Sequence, residues 1–289
     1  MIRKIFPKNT TILKLPTLKN KTVIITGGAT GLGQKMAEHF AHNGAKTIIC
    51  SRNIDNLKET TKLINEKNNN MNVEWIPVDV SDPDSVKNFY HEINQRKMNP
   101  EILINNAAGN FISRSEDLSP NGINRVIDIV LKGTINMTIP FSKNIMYQDK
   151  FASVLNISTL YAKSGSGFVL PSAIAKSGVE TMSKSLASEW GKYGIRFNSI
   201  APGSIYTEGA FSRLDPTGEF KKSLVNKNPC GRLGEREELA NLVTFVSSDY
   251  CNWLNGQTIT FDGGEGGFRT GQFNELNYLP KEFWQLIKP

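Results

Sequence analysis

Cysteine is scarce in this chain: Cys50, Cys230 and Cys251 are the only three in 289 residues. They are scattered, odd in number and form no Cys-x-x-Cys pair, which excludes a disulfide framework and fits a reducing compartment. The three histidines, His39, His42 and His91, form no metal-ligand constellation, so no metal is expected. No apolar run is long enough to span a bilayer, so no transmembrane segment is expected. The basic residues never form one dense block with interleaved aromatics, which argues against nucleic acid as the main partner. Acid is missing from the amino terminus, where no Asp or Glu precedes Glu38.

What remains is an ordinary globular composition, 39% hydrophobic and 21% charged, at a length that suits one large α/β domain. The net charge of +7 is either a solvated basic surface or the complement of a phosphate-rich partner, a cofactor or an acyl carrier. Residues 1–19 form a basic leader or tail. Its acid-poor start resembles a mitochondrial presequence, although Pro7 interrupts any amphipathic helix. A mitochondrial location is therefore expected, with the cytosol as the alternative. The ending Leu286-Ile287-Lys288-Pro289 is not a peroxisomal address.

Short β-branched runs alternate with helix-length segments. Val23–Ile25, Thr47–Ile49, Val73–Val78, Ile102–Ile104, Ser153–Ile157, Phe197–Ala201 and Thr258–Phe261 read as buried parallel strands. Helices are expected near 33–43, 54–67, 83–97, 121–148, 172–191 and 235–248. The alternation predicts an α/β fold, a doubly wound parallel sheet of Rossmann type, in a single domain over 20–263. Residues 204–230, rich in Gly, Pro and charge, are an insertion or, on the better reading, a lid over a substrate. The extension 264–289 is expected to pack on the body or on a neighbouring subunit.

Thr26-Gly27-Gly28-Ala29-Thr30-Gly31-Leu32-Gly33 follows the first strand and opens a helix. Glycines at this spacing allow a tight turn and close backbone approach, and the helix start offers amides and a positive dipole end to a pyrophosphate. Arg52 follows the second strand, where an acid would hold the ribose hydroxyls of NAD. Its fork suits a 2′-phosphate, so NADPH is expected, unless Arg52 is only a surface arginine. Asp79 and Val80 follow the third strand on the adenine side. Asn105-Asn106-Ala107-Ala108-Gly109 closes the fourth, with small residues that let the chain pass close to the cofactor. Pro202, Gly203, Ser204 and Ile205 follow the sixth, near the nicotinamide.

Together these segments resemble the short-chain dehydrogenase/reductase superfamily over roughly residues 20–263. The site of that superfamily usually reads Tyr-x-x-x-Lys, but here Ser172-Ala173-Ile174-Ala175-Lys176 lacks the phenol. By the same comparison Val130 stands where an asparagine is usual and Thr159 where a serine is usual. Lys176 is retained, and can bind the nicotinamide ribose. Asn106 to Phe111, Gly165 to Val169, Gly209 to Asp215, Pro229 to Gly234 and the stretch around Gly271 to Asn274 further resemble the mitochondrial-type 2,4-dienoyl-CoA reductases.

That resemblance implies a substrate, a fatty acyl-CoA with a 2,4-dienoyl chain, for which the missing phenol is no defect. Hydride adds to C5 and charge gathers on the thioester oxygen, which needs hydrogen-bond donors as an oxyanion does. It assigns that task to Tyr161 and Asn110, with Lys176 completing the catalytic set. It places Phe111, Ser119 and Ser172 along the acyl channel and Arg213 on a CoA phosphate. Ser81 departs from it, standing where related reductases carry an arginine towards CoA. The implied product is a 3-enoyl-CoA in β-oxidation of unsaturated fatty acids, and the implied assembly a homotetramer. Two other readings stay open: a carbonyl or alcohol oxidoreductase that recruits Tyr161 or Tyr206 as its acid, and a non-catalytic dinucleotide-binding scaffold.

Overall fold

The computed structural model describes residues 18–67, 72–148, 150–209, 215 and 218–287. Most of the basic leader and the expected CoA contact Arg213 lie outside the described residues.

The β-branched runs pair as β1 (Thr22–Thr26), β2 (Lys46–Ser51), β3 (Val73–Pro77), β4 (Ile102–Asn105), β5 (Ala152–Ile157), β6 (Ile195–Pro202) and β7 (Thr258–Phe261). They form one sheet in the order β3-β2-β1-β4-β5-β6-β7, every neighbouring pair parallel. The chain direction across the sheet reverses between β1 and β4, and the carboxyl edge at that switch point is where this class of sheet binds ligands.

The crossovers supply helices α1 (Gly31–His42), α2 (Ile54–Lys67), α3 (Pro83–Gln95), α4 (Pro120–Ile127), α5 (Gly133–Met146), α6 (Tyr161–Ser164), α7 (Leu170–Trp190), α8 (Glu219–Asn226), α9 (Arg236–Ser247), α10 (Glu265–Thr270) and α11 (Phe283–Leu286). Because successive strand side chains point to opposite faces, the sheet has two cores. Ile25, Ile49 and Ile104 pack with Phe40 of α1 and Val243 of α9 on one face. Ile24, Ile48 and Leu103 pack with Phe89 of α3, Phe141 of α5 and Leu186 of α7 on the other. The four phenylalanines Phe40, Phe89, Phe141 and Phe197 are fully buried, and truncating any one to alanine should cost about 3–5 kcal/mol.

Most element ends shift by one or two residues from the sequence-based expectation, and two differences bear on the site. Val78 lies past the end of β3, although its amide still donates to the Ser51 carbonyl at 3.0 Å. The expected helix over 121–148 is broken by a π turn, Asp128–Lys132, between α4 and α5. A π turn inserts an extra residue and frees a carbonyl. Here the Thr134 hydroxyl donates to the Val130 carbonyl at 2.6 Å. Gly133 then lies against the loop after β3, where a Cβ would come 2.6 Å from Val80 Cγ2.

Candidate active site

The turn after β1 depends on its glycines in three different ways. Gly27 and Gly31 have φ of +63° and +57°, the left-handed region that disfavours a Cβ. Gly33 has no room for one, since it would meet the Gly27 carbonyl oxygen at 2.1 Å. At Gly28 it would meet Ile49 Cβ at 2.8 Å. Asn106, at the tip of β4, braces the turn by donating through Nδ2 to the Thr26 carbonyl at 3.0 Å and that of Gly27 at 3.3 Å. The Thr26 hydroxyl in turn accepts from the amides of Asn106 and Ala107, both at 2.9 Å. Thr30, the residue before α1, offers no side-chain cap to the helix, so the first-turn amides are left for a ligand. Leu32 packs half-buried against the core beneath.

Arg52 is exposed at the tip of β2 and has no ion-pair partner among the described residues. The Asp79 carboxylate accepts from the Ser81 amide at 3.0 Å and the Ser81 hydroxyl at 2.6 Å. Val80 is buried, and its carbonyl accepts from Asn136 Nδ2 at 3.0 Å. On the opposite side, Gly203 follows β6 where a Cβ would lie 2.7 Å from Asp262 Cβ. Glu265, buried in α10, accepts from the Ser204 amide at 2.9 Å and its hydroxyl at 3.1 Å. Ile205 bridges in parallel to Gly234.

At the centre of the carboxyl edge, Tyr161 opens α6 directly after β5. Its hydroxyl lies 3.1 Å from Ser172 Oγ and accepts from Asn110 Nδ2 at 3.4 Å. Ser172 is buried while Tyr161 is half-buried and Asn110 exposed. One helical turn beyond Ser172, Lys176 is buried and donates to the Ile157 carbonyl. Burial pushes its ammonium down to about 8. An ammonium has three donors, so donor capacity remains beyond the bond to Ile157, which fits a ribose with two hydroxyls. Phe111 sits over the start of α4, where a Cβ on Gly122 would be 3.2 Å from both its ring and Ser119 Oγ. Ser119 caps α4 by accepting from the Gly122 amide at 3.1 Å. Tyr161, Asn110 and Ser172 are thus brought into hydrogen-bond reach of one another, the glycine turn, Arg52, Asp79 and Gly203 each follow a strand at the carboxyl edge of the sheet, and Arg213 lies outside the described residues.

Sequence reasoning missed what holds the site from below. Asn105 Nδ2 donates to Thr138 Oγ1 at 2.9 Å and to Asn156 Oδ1 at 2.8 Å. Asn156 Nδ2 donates to Ser183 Oγ at 2.8 Å, which lies 2.8 Å from Ser199 Oγ. All five side chains are buried. In a low-dielectric interior such a network is specific, and it pins α7, which carries Ser172 and Lys176, to β4, β5 and β6. Val130 joins Val126 and Ala175 in a small apolar cluster, so an apolar contact occupies the place of the usual asparagine, and Thr159 is half-buried. The only signal in the sequence was polar residues inside apolar strands.

Residues 27–265 match the family of enoyl-(acyl carrier protein) reductases. The chain belongs to the short-chain dehydrogenase/reductase family. It is 47% identical over 291 residues to an uncharacterized oxidoreductase of Caenorhabditis elegans, covering 98% of this chain and 92% of the relative. It is 44% identical over 273 residues to a probable (3E)-enoyl-CoA-producing 2,4-dienoyl-CoA reductase of the same organism, with 93% and 88% covered. A probable (2E)-enoyl-CoA-producing 2,4-dienoyl-CoA reductase of Bacillus subtilis is 39% identical over 249 residues, with 86% and 97% covered. As a member of this oxidoreductase family the chain binds a nicotinamide dinucleotide. Among the described residues no helix is long and apolar enough to cross a membrane.

Proposed function

We propose that this reductase uses NADPH to convert 2,4-dienoyl-CoA thioesters to 3-enoyl-CoA. The observation that carries the proposal is the Tyr161 hydroxyl held between Ser172 Oγ at 3.1 Å and Asn110 Nδ2 at 3.4 Å. Asn110 donates to it, and its own proton is available to Ser172 Oγ or to a ligand oxygen. A donor so placed, beside the exposed Asn110 amide, suits a thioester oxygen that becomes anionic.

The chemistry of the dinucleotide is hydride donation. Tyr161 and Asn110 stabilise the dienolate oxygen as charge arrives there. No acid faces the hydride-accepting carbon, because Ser172 is too weak an acid to replace a phenol. Proton return then falls to water at the carbon next to the thioester, which leaves the double bond between C3 and C4. Lys176 and the glycine turn hold the dinucleotide, Arg52 holds its 2′-phosphate, and Asp79, Val80 and residues Pro202 to Ile205 line its two ends. Phe111, Ser119 and Ser172 line the acyl channel, and Arg213 meets a CoA phosphate. The names of the dienoyl-CoA reductases among the relatives support the substrate class and divide over the product. The proposal extends to β-oxidation of unsaturated fatty acids, a mitochondrial location and a homotetramer.

The test is NADPH oxidation measured with a 2,4-dienoyl-CoA, with a panel of simple ketones, and with neither. Turnover of the dienoyl thioester alone is expected. Turnover of ketones alone would transfer Tyr161 to carbonyl chemistry, and binding of NADPH with no turnover would make the chain a scaffold.

A further inference from the structure

A cleft of about 500 Å³ lies between the tip of β2, the loop after β3 and α4, lined by Arg52, Ser81, Asn121, Asn124, Arg125 and Asp128. It has the volume of a small-molecule site rather than of a single ion. Asn121, Asn124, Arg125 and Asp128 follow the i, i+3, i+4 and i+7 spacing that puts side chains on one helix face. The opposite face of α4 buries Val126. The helix is fixed in place by the Ser119 cap and by a proline in its first turn.

The charges of the cleft do not balance. Its one carboxylate, Asp128, pairs with Lys132 at 2.7 Å. Arg52 and Arg125 have no carboxylate partner among the described residues. Two unpaired guanidinium groups on one cleft repel each other unless an anion sits between them. The side-chain amides of Asn121 and Asn124 add donors without partners among the described residues. Ser81 contributes no charge, and its hydroxyl already donates to Asp79 at 2.6 Å.

We infer that Arg125 is a phosphate-binding residue which, with Arg52, clamps a ribose phosphomonoester in this cleft. A planar fork on each side suits a dianion with three terminal oxygens. Two molecules carry such a group: the 2′-phosphate of an adenine dinucleotide and the 3′-phosphate of CoA. The second rests on the proposed dienoyl-CoA reaction, and the first does not. Arg125 stands on an element that contributes nothing to the glycine turn or to Tyr161, so it acts on recognition and not on chemistry.

The experiment titrates the full-length protein calorimetrically with 2′,5′-ADP, 3′,5′-ADP and 5′-AMP, using wild type, Arg125→Gln and Arg125→Lys. Arg125 is exposed, so thermal midpoints should be unchanged and serve as the folding control. For Arg125→Gln a loss of roughly 10–100-fold is expected for one phosphomonoester, the range for a hydrogen bond to a charged group, with 5′-AMP unaffected and Arg125→Lys intermediate. Loss confined to 2′,5′-ADP assigns the clamp to the dinucleotide, and loss on 3′,5′-ADP assigns it to CoA. Unchanged binding of both, or an equal loss with 5′-AMP, overturns the inference. No arm requires turnover, so failure of the dienoyl-CoA reaction would be seen separately.

Discussion

The Tyr161 hydroxyl and Ser172 Oγ lie 3.1 Å apart, although they come from different helices, α6 and the start of α7. A phenol eleven residues earlier thus lies beside the position where the usual site would carry its own. Its orientation differs, because it is half-buried and shared with Asn110, whereas position 172 is buried in the helix.

This arrangement ranks two substitutions. Tyr161→Phe removes only the hydroxyl, and kcat on a dienoyl-CoA should fall by roughly 10²–10³, the usual effect of one oxyanion donor. Ser172→Ala leaves the phenol present and removes only its neighbour at 3.1 Å, so the loss should be several times smaller. NADPH affinity should be nearly unchanged in both. A dead Ser172→Ala enzyme beside an active Tyr161→Phe enzyme would falsify the displaced-tyrosine assignment.

Arg52 should set dinucleotide preference. Arg52→Ala removes the charge at the β2 tip, where no acid replaces it, and should raise the apparent constant for NADPH by about tenfold or more, as expected for a charge-assisted contact of about 1.5–3 kcal/mol. The constant for NADH should hardly move. Equal changes for both, measured by fluorescence titration, would remove Arg52 from the 2′-phosphate.

Lys176 should give an alkaline limb to cofactor binding. Burial lowers its ammonium from 10.5 to about 8, so the charged form is disfavoured in the folded protein. For stability, this group is a cost below about pH 8, and the cost disappears as pH rises from 8 to 10.5, where only the unfolded chain still holds the proton. Binding runs the opposite way: ribose hydroxyls need the ammonium, so NADPH affinity should fall above pH 8 in wild type. The same profile in Lys176→Met should be weak and flat. A wild-type affinity that stays constant well past that pH would mean that Lys176 does not bind the cofactor in its charged form.

Gly33 and Gly167 should respond oppositely to alanine. At Gly33 the new Cβ would lie 2.1 Å from the Gly27 carbonyl oxygen, while at Gly167 nothing lies within 4 Å. Gly33→Ala should destabilise by at least about 1–3 kcal/mol, the scale of overpacking, and abolish NADPH binding. Gly167→Ala should do neither. Thermal melts with and without NADPH separate the two effects.

The strands and the glycine turn were legible in the sequence because each rests on a local signal: a β-branched run, or a glycine that only a tight turn requires. The π turn at Asp128–Lys132 was not legible, since no local residue pattern marks it; it is followed by Gly133, which lies against Val80, 53 residues earlier in the chain. The Asn105–Asn156–Ser183 network escaped for the same reason, because it joins side chains 51 and 27 residues apart. Nothing in the sequence singled out Arg125. Only the fold shows that it shares a cleft with Arg52.

The most direct measurement is a single turnover of a 2,4-dienoyl-CoA with NADPH carrying deuterium at the transferred position, in ordinary water, with the product examined by NMR. Donors on the thioester oxygen and no acid at the hydride-accepting carbon predict deuterium at C5, a solvent proton at C2 and a double bond between C3 and C4. A double bond between C2 and C3, with the solvent proton at C4, would place a proton donor where the account has none. Deuterium anywhere but C5 would contradict the reaction itself.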